Sequence, residues 1–173
     1  MSLAARAAWV GLPVSLGIIS AVMLKPQSPG TKRVMEVGPP NLIGWPSSEA
    51  GIMELFTKYG AEGRTSMANG YFSLISDSTF AVCYSISMAL GLFALQPKRR
   101  WLCLVALSTG VCNLAENFCI VRLANTYPNL DQMAVFWGPL ASYGKKLAMA
   151  VSLSVVVVSG FLRRSADKSN KVA

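Results

Sequence analysis

The sequence predicts an all-α integral membrane protein, a four-helix bundle with a short amphipathic helix in its first loop. Three observations carry that prediction. Of the residues, 53% are hydrophobic and 14% charged, with a mean hydropathy of +0.44, a balance that belongs to a membrane protein and not to a soluble domain. Four segments reach the ~20 mostly apolar residues that a hydrocarbon core about 30 Å thick demands; they are roughly residues 8–24, 71–95, 101–123 and 139–162. Between the first two lies the one sizeable loop, 25–69, too short for a soluble domain, so residues 1–173 are read as a single membrane domain.

The first segment follows Arg6 and runs apolar to Leu24, the outline of a secretory signal. Its core is longer than a signal core, and Ser20-Ala21-Val22-Met23-Leu24 offers only a weak small-residue cleavage pattern, so a retained anchor is expected. The loop that follows opens with Pro26, Pro29, Gly30, Gly38, Pro39, Pro40, Gly44 and Pro46, and these breakers predict an irregular strap. Its second half changes character. Ser47-Ser48-Glu49 supplies an N-cap with an acid in the first turn, and Ile52, Leu55, Phe56 and Tyr59 recur at helical spacing before Gly60. This predicts an amphipathic helix over 49–59 that lies on the membrane surface or caps the bundle, or in a functional form closes a pocket as a lid.

The second and third spans are joined by Gln96-Pro97-Lys98-Arg99-Arg100, a turn short enough to force antiparallel neighbours. The fourth is expected to start at Pro139, since a first helical turn needs no N–H there. Orientation follows from the basic residues of short loops. Arg6, the Lys98-Arg99-Arg100 turn and Arg163, Arg164, Lys168 and Lys171 gather on one side, opposed only by Asp167. Across the membrane, Lys25, Lys32, Arg33, Lys58 and Arg64 are diluted by Glu36, Glu49, Glu54 and Glu62. Both termini are therefore expected on the cytoplasmic or matrix side. The net charge of +8 reads as contact with lipid headgroups, so membrane lipids are the expected partners and nucleic acid is not.

Within the apolar spans stand Asp77, Glu116 and the Lys145-Lys146 pair. A lone charge at the centre of a membrane helix costs roughly 2.5–3.5 kcal/mol even on lenient scales, so such groups face a partner, a cavity or water. Glu116 lies about 22 Å up the third span from Trp101 at ~1.5 Å per residue, Asp77 two turns into the second and the lysines two turns past Pro139. All four are expected in one layer toward the long loop, with charges that cancel. Asn113 and Asn117 extend the polar arc around Glu116, and Ser73 and Tyr84 share a face with Asp77. Three readings of the layer follow: hydrogen-bonded glue that sets helix register, a ligand or substrate pocket, or an ion or proton path.

The chain has no histidine, which excludes imidazole-ligated haem, His-based metal sites and the usual neutral-pH acid–base residue. No metal or cofactor is expected. Cys83, Cys103, Cys112 and Cys119 lie in the spans without C-x-x-C spacing and read as small packing residues. Gly60-Ala61-Glu62-Gly63-Arg64 lacks the Lys-Ser/Thr of a phosphate loop. Gly11 with Ser15, Ser85 with Ala89 and Gly138 with Ser142 have the spacing of close helix approach, and Trp9, Trp45, Trp101 and Trp137 fall near water boundaries as an interfacial belt would.

The run Tyr59-Gly60-Ala61-Glu62-Gly63-Arg64, then Asp77, Asn113-Leu114-Ala115-Glu116-Asn117 and Tyr127-Pro128, resembles a family of small uncharacterised four-helix integral membrane proteins, over roughly residues 49–162. In that family a Gly-Arg pair leads into an Asp-bearing helix and an Asp-x-x-Glu-Asn element occupies the next. This chain has Asn113 in place of the first Asp, and Phe80-Ala81 in place of a Phe-Pro step. The resemblance implies the four-helix architecture and draws Arg64 into the candidate set as a guanidinium able to reach the acidic layer or a lipid phosphate; it brings no activity. The function expected is that of a non-catalytic scaffold or accessory subunit of a membrane assembly, with other membrane subunits as partners. The alternatives are a protein that binds or transforms a lipid- or sterol-type molecule through Asp77 and Glu116, and a transporter or proton path. Below Glu116 the third span offers little polarity beyond Ser108, Thr109 and Asn113, which weighs against the last.

Overall fold

The computed structural model describes residues 28–40, 44–46, 48–71 and 77–169. The expected first span, 8–24, lies outside them. Among the described residues the protein is entirely helical: α1 Pro29–Val37, α2 Glu49–Ser66 leading into a π-helical turn Met67–Tyr71, α3 Asp77–Leu95, α4 Trp101–Thr126 and α5 Gln132–Ser169. Three helices are long and apolar enough to cross a membrane: α3, α4 and the Gln132–Ser159 part of α5.

The strap expected at the start of the loop is a helix, α1. Its breakers stand at its ends and not within it. Pro29 occupies the first turn, where its missing N–H costs nothing, Ser28 caps the N-terminus by accepting from the Thr31 N–H at 3.1 Å, and Gly38 takes up φ 93° at the C-terminus. α1 lies against the second half of α2 at backbone distance. A Cβ on Gly30 would stand 2.2 Å from the Glu62 carbonyl oxygen, so no larger residue fits there. Val34 is fully buried, the Thr31 and Ser66 hydroxyls share a hydrogen bond at 2.6 Å, and Arg33 donates to the Lys58 carbonyl at 3.1 Å.

α2 has the expected cap, with Ser48 Oγ accepting from the Gly51 N–H at 3.1 Å, and the expected face, with Ile52, Leu55, Phe56 and Tyr59 all buried. It does not end at Gly60. There the chain kinks, at φ 67° and ψ −179°, and resumes as helix to Ser66; the positive φ is one that glycine adopts without penalty. The apolar face packs on protein: Ile52, Leu55, Phe56 and Tyr59 join Trp45, Met67, Cys119, Ile120, Leu123, Leu130 and Ala134 in one cluster at the loop end of α4 and α5. Burying each of the larger side chains is worth on the order of 1.5–3 kcal/mol. Burial also pushes the Tyr59 phenol well above its usual pKa, and its hydroxyl donates to the Gly38 carbonyl at 2.7 Å.

The short turn 96–100 returns α4 antiparallel against α3, as expected. Their seam is narrow because Gly110 faces Ser85: a Cβ on Gly110 would stand 2.5 Å from Ser85 Oγ. Nearer the turn, Ala89, Leu92, Leu102 and Ala106 form a second cluster. α5 then packs along α4, in the most extensive helix pair among the described residues. It begins at Gln132 and not at Pro139, which lies inside the helix. Asp131 is the reason, for its Oδ1 accepts from the Ala134 N–H at 3.1 Å and its Oδ2 accepts from Arg122 Nε at 2.7 Å. Leu130 and Ala134 bury themselves in the loop-end cluster, and this tertiary packing holds the turns before the proline.

Candidate functional site

Asp77, Asn113, Asn117, Glu116 and Lys145 converge where α3, α4 and α5 meet. Spacing on α4 brings three of them together, since residues at i and i+3 or i+4 share a helix face. Asn113 and Asn117 both turn to α3, where their Nδ2 groups donate to the same oxygen of Asp77, Oδ2, at 3.0 and 2.5 Å. Asn113 also faces α5: its Oδ1 accepts from Lys145 Nζ at 3.0 Å. Glu116 is fully buried and takes the same ammonium on Oε2 as a salt bridge. One chain of polar contacts therefore runs from Asp77 through Asn113 to Lys145 and Glu116, and crosses all three helices.

Its last member comes from the loop. Trp45, 7% exposed, donates its indole N–H to Glu116 Oε1 at 2.9 Å. The ring rests on Gly138, where a Cβ would stand 2.5 Å from the indole edge, directly before Pro139. The close approach that the Gly138–Ser142 spacing implied is thus made by an indole ring. An interfacial place was expected for Trp45; among the described tryptophans only Trp101 and Trp137 are exposed, at 59% and 47%. Both carboxylate oxygens of Glu116 and Oδ2 of Asp77 are thus engaged by donors of the chain itself.

Two expected members stand elsewhere. Arg64 donates to the Phe56 carbonyl at 2.9 Å, beside the kink in α2, and its guanidinium stacks 4.0 Å from the centroid of the Tyr127 ring. It ties α2 to the α4–α5 connection and does not reach the acids. Lys146 points away from the layer and is exposed, its ammonium 5.9 Å from the Tyr143 ring centroid. Among the described residues the charges of the layer accordingly do not cancel: Asp77 and Glu116 face Lys145, leaving one formal negative charge.

The lysines also sit deeper than expected. A Cβ on Gly144 would stand 3.2 Å from Cys112 Sγ, which sets this part of α5 level with Cys112. That level is about 16 Å from Trp101 at one end of α4 and about 15 Å from Arg122 toward the other, at ~1.5 Å per residue. The backbone of Lys145 is therefore near mid-span, and its stem reaches one turn toward the loop end to meet Glu116. The layer slopes across the bundle.

Among the described residues no group of three or more His, Cys, Asp or Glu side chains is placed to hold a metal. Among the clefts of the described residues are two on the helix surfaces. One is an apolar groove of about 1160 Å³ between α4 and α5, with Phe118, Cys119, Trp137, Ala141 and Gly144 in its walls and the Arg122–Asp131 pair at its loop end. The other, about 530 Å³, lies between α1 and the kink of α2, beside Lys32, Arg33 and Glu62. Asp77, Glu116 and Lys145 line neither. Among the described residues three buried side-chain oxygens have no hydrogen-bond partner: Asn117 Oδ1, Ser142 Oγ and Ser152 Oγ. Trp45 escaped the sequence reading because tryptophan near a span boundary has the same signature in an interfacial belt. Its place beside a glycine of α5, with α2, α3 and α4 between them in the chain, has no sequence period.

No family model, curated protein or solved structure matches this chain.

Proposed function

We propose that the protein is a non-catalytic, multi-pass membrane subunit, a scaffold or accessory component of a larger membrane assembly, in which the Asp77–Asn113–Lys145–Glu116–Trp45 chain locks three helices and the loop into one register. The observation that supports this reading is the pairing of the layer within itself: both oxygens of Glu116 and Oδ2 of Asp77 are held by Asn113, Asn117, Lys145 and Trp45. A general acid or base needs access to its substrate within hydrogen-bond reach, whereas interhelical polar contacts that pair with one another set register. The reading includes a fourth span from the segment before residue 25, completing a four-helix bundle of the kind the resemblance implies, with both termini on the cytoplasmic or matrix side by the placement of Lys and Arg.

A second reading, a small-molecule binder, rests on Asn117 Oδ1, an unpartnered acceptor on a side chain 4% exposed, beside a layer with one negative charge in excess; a ligand bearing a donor or a cation suits it. Gentle purification from the native membrane separates the two. Stable protein subunits that co-elute with both the wild type and an Asp77→Asn/Glu116→Gln double variant are the expected result. A small molecule lost only from the variant, with no protein partner in either form, overturns the subunit reading in favour of the binder.

A further inference from the structure

Between Gln132 and Ser159, α5 carries two charged side chains, Lys145 and Lys146. The first is buried and paired with Glu116. The second is exposed, and among the described residues it forms no ion pair. Its surroundings are those of a lipid-facing surface. Phe136, Leu140, Tyr143, Leu147, Leu153 and Val157 are 49–69% exposed along the same side of α5, so the ammonium stands alone in an apolar field.

Depth removes the usual escape. Lysines near the ends of membrane helices extend their stems to the headgroups. Gly144 is level with Cys112, and Lys146, two residues further on, stands about 18 Å along the helix from the Arg122 level at one end and about 13 Å from the Trp101 level at the other, at ~1.5 Å per residue. A four-carbon stem spans less than half of either distance. The ring of Tyr143, 5.9 Å away, is at the limit of a cation–π contact and does not balance a full charge in hydrocarbon. A charge kept at this depth faces a partner, a cavity or water, and on an apolar lipid-facing surface an opposite charge on a partner is what can balance it.

The chain cannot supply that charge from another copy of itself. At this depth its described acids are Asp77 and Glu116; Glu116 is fully buried, and Asp77 is turned inward to Asn113 and Asn117. Glu36, Glu49, Glu54, Glu62 and Asp131 belong to the loop end. One helical turn beyond Lys146, exposed Ala150 and then Ser154 leave room for a second helix backbone to approach closely.

We propose that the Tyr143–Lys146–Ala150–Leu153 stripe of α5 is the docking surface for a membrane-spanning helix of a different subunit, one that carries an Asp or Glu at mid-membrane depth to pair with Lys146. The inference rests on the subunit reading above and specifies the contact. It also explains why adjacent lysines are kept at mid-span: Lys145 holds the bundle together and Lys146 holds it to its partner. Removing the Lys146 charge leaves the bundle itself intact, since no described side chain depends on it.

The test uses the full chain in its native membrane. A photoreactive side chain is placed at Tyr143 or Ala150, with Phe93, 40% exposed on α3, as the control position, and assembly size is followed on native gels. The expected result is a crosslink from Tyr143 and Ala150, not from Phe93, to one subunit with an Asp or Glu inside a spanning segment. Lys146→Met is expected to reduce that product by more than about tenfold, as loss of a desolvated charge partner does, while Lys146→Arg keeps it. Lys146→Glu combined with Lys at the partner's acidic position restores it. Crosslinks to lipid alone, to a second copy of this chain, or to a subunit without an intramembrane acid overturn the proposal, as does an unchanged product in Lys146→Met. An assembly that persists on native gels in Lys146→Met refutes this contact only; a wild type that migrates alone refutes the subunit reading as well.

Discussion

Among the described residues of the loop, Trp45 is the one that hydrogen-bonds to the polar layer. Its indole is the partner of Glu116 Oε1, and its ring fills the space left by Gly138. Trp45→Phe keeps most of the ring and removes the donor, leaving a buried carboxylate oxygen unpaired. That change is expected to cost on the order of 1–3 kcal/mol of unfolding free energy in micelles; an unchanged value would mean that the indole N–H contributes nothing there. The polar residues of the layer were legible because Asp77, Asn113, Glu116, Asn117 and Lys145 each interrupt an apolar run, and such interruptions stand out. Which lysine of the pair faces inward was not legible: neighbours on a helix point about 100° apart, and the fourth span had no fixed phase until its packing on α4 was known.

At the scale of elements, the ends of helices were harder to read than their faces. The apolar face of α2 is the one its spacing predicts, yet the helix continues past Gly60 because α1 packs on its second half, at Gly30 and Gly63. That is a tertiary contact with no local signature. α5 starts seven residues before Pro139 for a similar reason, its cap being Asp131, which is itself oriented by Arg122 on α4. The hydrogen bond from Arg122, followed by the backbone N–H of Ala134, holds the Asp131 carboxyl below its usual range. A depressed carboxyl favours the folded helix start above the unfolded value of about 3.9, and that contribution fades as pH falls through the lower folded value. Amide exchange at Ala134 is therefore expected to accelerate below about pH 4 beyond its intrinsic dependence. Asp131→Asn is expected to remove this extra dependence, and an identical profile in the two forms would contradict the cap.

For the molecule as a whole, hydrophobic length and the short 96–100 turn were enough to expose three helices long and apolar enough to cross a membrane and the antiparallel α3–α4 pair, because lipid leaves the backbone few alternatives. The loop was less legible, since its order comes from α1 and α2 burying side chains on the ends of α4 and α5. If the polar layer is a structural lock, its members depend on one another. A double-mutant cycle on Lys145→Met and Glu116→Gln, read as unfolding free energy in micelles, decides whether they do. Each single change strands a buried partner and is expected to destabilise; the double change removes both and is expected to cost less than the sum, by roughly 1–3 kcal/mol. Strictly additive losses, or single variants as stable as the wild type, would contradict the lock.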